Sequence, residues 1–325
     1  MILYKPQNLI KMNTQIIYDR ITSTIIEMLE EHKNNNYNSA WYTLSGDSIF
    51  AHNKASNHIY SGINQLLLQY LRNKYNYNFN GWLTFKQLNS LGGKIKKGSK
   101  AAIVVYKSHL YLDSNTGKNI TSMILQMLKA GQSIEHIDYQ KRGYLKSYTV
   151  FNISQIENLP EDFYKIAELE KLTDFEQNER AELLIKSTKA KIDFVAGNSA
   201  FYTPGTDTIQ LPERRQFKND VSFYGVAFHE LGHWTGHKTR LDRELNGKFG
   251  TKEYAFEELI AELNTAYINA YLGYESRITD NVSYINSWLA VMKNDKKFIV
   301  SAAAQAQKAS DFILDFSKVE ELELA

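Results

Sequence analysis

The 325-residue chain has no cysteine. Disulfides and thiolate ligands are therefore excluded, and any metal has to be held by histidine and carboxylate. Long apolar runs are missing as well: none approaches the roughly 18 residues of a membrane span. The opening MILYKPQNLIKMNTQ lacks a basic region followed by an apolar core and a small-residue cleavage site, so no secretion signal is visible. These absences predict a cytoplasmic protein with no membrane partner. The length, with 43% hydrophobic and 23% charged residues, suits a globular chain of two domains and excludes disorder throughout.

The net charge of +2 conceals an asymmetry. Residues 1–160 hold 18 Lys and Arg against 9 Asp and Glu, whereas residues 161–325 hold 20 against 27. A basic half joined to an acidic half points to an anionic partner for the first and a different task for the second.

Apolar residues recur at helical spacing in NTQIIYDRITSTIIEMLEE, residues 13–31 (Ile17, Ile21, Ile25, Leu29), and again in residues 59–75. Residues 82–108 read as a short helix, a Gly92-Gly93 break, a basic turn and a β-branched strand at 102–106. The stretch 113–147 reads as a Gly-bounded loop with a helical insertion, after which SYTVFNISQIENLP returns to strand pattern and stops at Pro160. A domain boundary near 160 follows. Residues 161–190 suggest a connecting helix pair, and 193–212 two strands around the Pro204-Gly205 turn. Residues 252–272 form a further helix with Phe256, Leu259, Ile260, Leu263 and Tyr267 on its core stripe and Gly273 as the residue past its end, and 284–316 is helical by period.

The most specific feature is VAFHELGHWTGH, residues 226–237. Histidines four apart share a helix face, so His229 and His233 can meet one zinc ion while Glu230 reaches its water as general base. His237 is a poor third ligand, because eight residues of continuous helix rise about 12 Å while Zn–N bonds are about 2.0–2.1 Å. AFEELIAEL, residues 255–263, is better placed: Glu258 and Glu262 fall away from the core stripe, so one can bind metal while the other orients a ligating imidazole. Ala255, Ala261 and Ala266 would let another helix approach. The chemistry would be metal-assisted hydrolysis of a peptide bond, with TDTIQLP at 206–212 as a sheet edge for an extended substrate.

The basic half offers a second constellation. In KIKKGSKAAIVVYKS, Lys94, Lys96, Lys97, Lys100 and Lys107 surround a turn and a strand, with Trp82, Phe85 and Tyr106 nearby. Lysines that follow phosphates and aromatic faces that stack on bases are the two ingredients of sequence-tolerant single-strand binding.

Taken in order, YSGINQLLL, WLTFKQLNSLGGKIKKGSK, YTVFNISQIENLP, YTPGTDTIQLP, FHELGHWTGHKTRLDR and YAFEELIAEL give a chain that resembles the ArdC family of plasmid antirestriction proteins. The resemblance implies an α+β protein of two domains: an N-terminal single-stranded-DNA-binding module over 1–160 and a C-terminal zincin-like metallopeptidase fold over 161–325. It also implies zinc on His229, His233 and Glu258, Glu257 being the alternative third ligand, with Glu262 behind them. It further implies protection of incoming mobile DNA from host restriction, with a restriction enzyme or other DNA-bound protein as a candidate peptidase substrate. The stretch 113–147 is longer than the family pattern leads one to expect, so no DNA contacts carry over there. Two other readings remain open: a DNA-binding protein whose metal is structural, and a peptidase whose basic half binds a protein.

Overall fold

The computed structural model describes residues 6–35, 39–42, 47–166, 172–279 and 281–323. In chain order the elements begin with α1 (Pro6–Asn34), β1 (Ala40–Tyr42), β2 (His52–Asn53), β3 (His58–Ile59), α2 (Ile63–Lys74), β4 (Gly81–Thr84), α3 (Phe85–Ser90) and β5 (Lys94–Ile95). Next come β6 (Ala102–Asp113), α4 (Thr121–Lys129), β7 (Tyr139–Asn152) and β8 (Ile156–Glu157). The second half contributes α5 (Asp174–Ser187), β9 (Lys191–Val195), β10 (Phe201–Thr203), β11 (Thr208–Pro212), α6 (Asp220–Trp234), α7 (Lys252–Tyr271), β12 (Ser276–Arg277), α8 (Val282–Asn294) and α9 (Phe298–Glu323). This is an α+β architecture.

A five-stranded sheet, β3-β2-β4-β7-β6, organises the first half. Its last two strands pair antiparallel over twelve residues, from Ala102↔Val150 to Asp113↔Tyr139. At about 3.4 Å per residue that ladder is about 40 Å long. Most of the expected 113–147 loop is therefore the far end of a hairpin arm. Between the strands, α4 buries Ile124 completely and packs on β6. The strand expected at 102–106 runs on to Asp113 for the same reason. Where β6 meets the body its edge is closed by α2: Asn64 Nδ2 donates to the Val105 carbonyl at 2.8 Å, and Asn64 Oδ1 accepts from Val105 N at 2.7 Å.

A three-stranded sheet, β10-β11-β9, lies in the second half. The segment expected as a sheet edge, TDTIQLP, supplies β11, which is the middle strand; β10 is an edge instead. Among the described residues of 161–190, where the sequence suggests a helix pair, there is one α-helix, α5, after a 3-10 turn at Glu161–Tyr164. Residues 167–171 fall outside the described residues.

The two halves share a core. Ile21, Ile25 and Leu29 of α1 and Leu66 and Leu67 of α2 are packed in one apolar cluster with Leu259, Ile260 and Leu263 of α7, Trp288 of α8 and Ile299 of α9. Polar contacts reinforce it at Gly62, whose φ of +55° a side chain rarely adopts and which caps the N-terminus of α2, so that the helix expected over 59–75 starts only at Ile63. Gly62 N donates to Gln307 Oε1 at 3.0 Å, and its carbonyl accepts from the Tyr267 hydroxyl at 2.7 Å. β1 also pairs with β12.

Candidate metal centre

The motif helix α6 starts at Asn219, whose side chain accepts from Ser222 N at 2.9 Å. One face buries Phe228 and Leu231 against Ile209 and Leu211 of β11 and Leu184 of α5. Another meets α7 at close range: a Cβ on Gly232 would stand 3.1 Å from Ala261 Cα and 3.1 Å from Asn264 Nδ2. Glycine at 232 and alanine at 261 are what allow that approach. Asn264 fastens it by donating to the Phe228 carbonyl at 2.9 Å while accepting from Ser310 Oγ of α9. The packing aims α6 and α7 so that their histidines and carboxylates converge.

His229 Nε2 and His233 Nε2 lie 3.2 Å apart. Glu258 closes the group, with Oε2 3.3 Å from His229 Nε2 and Oε1 3.7 Å from His233 Nε2. One ligand atom from each of the three lies within 4.8 Å of the others. Two imidazoles and one carboxylate are a donor set that suits zinc or a similar divalent ion and leaves a position free for water or substrate. Burial works against charging His229, but the Glu258 and Glu262 carboxylates outweigh it and push the imidazole up to about 10. Burial likewise opposes the Glu258 anion, and the two histidines still hold it down at about 2. An ion here would take the place of the proton that this cluster otherwise shares.

Each imidazole faces a carboxylate on the far side, at hydrogen-bond distance for His233 and slightly beyond it for His229. His233 Nδ1 is 3.1 Å from Glu257 Oε1, and His229 Nδ1 is 3.6 Å from Glu262 Oε2. Glu257 is in turn gripped by Arg243, whose Nε donates to Oε2 at 3.0 Å and Nη2 to Oε1 at 2.6 Å. Arg243 also donates to Thr235 Oγ1 and to the Gly232 carbonyl, both at 2.8 Å. Both Glu257 oxygens are thus engaged away from the two Nε2 atoms, whereas Glu258 faces them. His237 lies past the end of α6, with Nδ1 against Thr239 Oγ1.

Glu230 is buried, and desolvation raises its carboxyl above the ordinary range despite both histidines. It lines a cleft of about 290 Å³ together with His229, His233 and Glu258. Tyr202 of β10 and Gly247 of the loop before α7 stand on the walls, as do Tyr254 of α7 and Tyr284 of α8, whose hydroxyls are 3.1 Å apart. Arg240 fixes the β10 wall: it stacks on Trp234 at 3.9 Å and donates to Asp207 and to the Tyr202 hydroxyl. A larger hollow of about 820 Å³ borders α1 and α2; of the two cations that line it, Arg72 and Lys74, the second is committed to Glu27 and Glu31.

Arg243, Arg240, Tyr254 and Tyr284 were not singled out from the sequence. The signal for the arginines was FHELGHWTGHKTRLDR, where two of them follow the motif helix three residues apart. For the tyrosines no local signal exists, because they reach the cleft from separate helices.

In the basic half, Lys94, Lys96, Lys97, Lys100 and Lys107 are all exposed. Lys96 Nζ bonds the Ser154 carbonyl at 2.8 Å, and Lys100 lies 5.8 Å from the centre of the Tyr75 ring. Phe85 is 55% exposed and Tyr106 39%. Trp82 needs correction as a stacking residue: it is 1% exposed, packed among Tyr60, Leu68, Val104 and Val150, so neither ring face can receive a base.

The α6–α7 geometry is that of a zincin-like metallopeptidase, and residues 179–305 match that family. Residues 15–151 match the N-terminal domain of the anti-restriction factor ArdC. The antirestriction ArdC protein of plasmid R388 superposes in its metal-free structure with a TM-score of 0.70 at 30% identity, covering 93% of this chain and 97% of that one. Its Mn(II)-bound structure gives 0.69 at 31% identity, covering 92% and 97%. The uncharacterized protein y4eC of Sinorhizobium fredii is 33% identical over 299 residues, 91% of each chain. DNA primase TraC of Escherichia coli is 36% identical over 238 residues; the match takes in 73% of this chain and spans only 16% of that primase. The chain belongs to the ArdC-like antirestriction family. Among the described residues no helix is long and apolar enough to cross a membrane.

Proposed function

We propose that this chain is a zinc-dependent peptide-bond hydrolase of the antirestriction family, working in the cytoplasm and bound to single-stranded DNA through its basic half. The observation that supports the hydrolase most directly is the convergence of His229, His233 and Glu258 within 4.8 Å beside a buried Glu230. In this reading the two Nε2 atoms and the Glu258 carboxylate hold the ion, and Glu257 and Glu262 keep the imidazoles in the required tautomer. A divalent ion held there supplies Lewis acidity. Glu230 takes a proton from the attacking water and delivers it to the leaving amine, a task helped by a carboxyl raised toward the working pH. Tyr254 and Tyr284 present hydroxyl donors on the cleft wall to the substrate carbonyl.

A structural metal alone would need no buried base beside an accessible cleft, so the arrangement favours catalysis. The boundary near residue 160 is proposed as a division of tasks. The test is metal analysis of the full chain together with peptide cleavage by wild type and Glu230→Gln. Zinc at one per chain with cleavage lost in Glu230→Gln is expected; equal cleavage by both proteins, or an absence of metal, would overturn the reading.

A further inference from the structure

The structure assigns the base-stacking surface for single-stranded DNA to one face of the β6/β7 arm, an inference that rests on the DNA-binding part of the proposal above. Tyr106 pairs directly with Lys146 across the ladder, and direct partners in an antiparallel pair project to the same face. Residues two apart on a strand share a face as well, so Tyr144 and Tyr148 stand on it with Lys146, and Arg142 continues it. Tyr106 and Tyr148 are 39% and 40% exposed. Their ring centres are 5.5 Å apart at an interplanar angle of 79°, so the two rings do not close face to face on each other. Lys146 Nζ lies 5.0 Å from the Tyr148 ring centre.

The composition of that face selects its partner. From Arg142 to Tyr148 on β7, and from Val104 to Leu110 opposite, it carries no carboxylate. Two exposed tyrosines, Tyr106 and Tyr148, and the half-buried Tyr144 set among Arg142 and Lys146 along an extended ladder suit a chain of flat bases joined by phosphates: the exposed rings stack and the lysine neutralises. This is a better platform than the Lys94–Lys100 turn. There Trp82 is buried and Phe85 is the one exposed ring among the aromatics singled out from the sequence on that side of β6.

The experiment uses the full chain with two probes of equal length, about 12 nucleotides: oligothymidylate, and an abasic strand with the same phosphates. Tyr106→Ala with Tyr148→Ala should weaken oligothymidylate binding by about five- to a hundredfold per ring lost. The salt dependence should stay the same and abasic binding should be unaffected, since no base is present to stack. The Tyr106→Phe, Tyr148→Phe variant should bind as wild type, and Lys146→Ala should shallow the salt slope for both strands. Undiminished oligothymidylate binding by the double Ala variant, or equal loss on both probes, overturns this face while leaving DNA binding intact. Failure of the wild type to bind either probe overturns the DNA reading and this face with it.

Discussion

Arg243 and Glu257 form a two-pronged ion pair, with Arg243 only 5% exposed and Glu257 10%, directly behind His233. A buried bidentate pair holds its geometry far more firmly than a surface one. The loop after α6 thereby determines how an imidazole on α6 is oriented.

Arg243→Ala should therefore lower metal affinity by about 10–100-fold, the usual cost of losing the groups that orient a ligand. It should also lower the stability of the metal-free protein, because breaking a buried pair costs about 3–5 kcal/mol. Competition with a chromophoric chelator, alongside thermal melting, separates the two effects. An affinity equal to wild type with a reduced melting temperature would leave Arg243 a purely structural role.

The carboxylates should rank in a definite order. Loss of His229, His233 or Glu258 to Ala should cost more metal affinity than the about 10–100-fold expected for Glu257→Ala. Glu262→Ala should do the least harm, since its oxygen stands 3.6 Å from His229 Nδ1, beyond a normal hydrogen bond. Titration of the five variants with zinc checks the order. Greater loss in Glu257→Ala than in Glu258→Ala would move the third ligand by one residue.

Glu230→Gln keeps the side-chain size and removes the proton acceptor. It should retain metal and DNA affinity and lose peptide cleavage. Protection of DNA in restricting cells should persist in this variant and fall in Lys96→Ala/Lys97→Ala, if covering the strand is what protects it. The opposite pattern would make proteolysis the means of protection.

The shared core predicts that the halves do not fold apart. Residues 1–160 alone would leave Ile21, Ile25, Leu66 and Leu67 without their α7, α8 and α9 neighbours. That fragment should show poor amide dispersion in NMR spectra and bind apolar dyes, and Ile25→Ala in the full chain should cost about 2–5 kcal/mol. A well-dispersed, cooperatively melting 1–160 fragment would contradict this.

The candidate metal centre is legible in the sequence where chemistry and periodicity coincide. Four-residue spacing places His229 and His233 on one face without help from tertiary structure, and of the three α7 alanines Ala261 stands against Gly232 of α6 while Ala255 and Ala266 lie in the core shared with α8 and α9. Choosing among Glu257, Glu258 and Glu262 needed the rotation of α7 against α6, which Gly232, Ala261 and Asn264 set through space. The arm was hidden for a different reason. Between Lys141 and Thr149 only Leu145 is buried, so the strand lacks the apolar alternation that marks one. Trp82 misled because a tryptophan among lysines suits a DNA site, while GWLT is buried at its first three positions.

The Gly62 contacts and the core around them also bear on ancestry. The stretch shared with TraC is 238 residues, longer than either half of this chain, so it includes parts of both. A protein whose halves complete each other's interior cannot exchange one half with a distant relative without repacking the other. Its lineages should therefore inherit the β6/β7 arm and the His229–Glu258 cleft together, and a hybrid built from two family members should recover only when α1 and α2 come from the same parent as α7, α8 and α9.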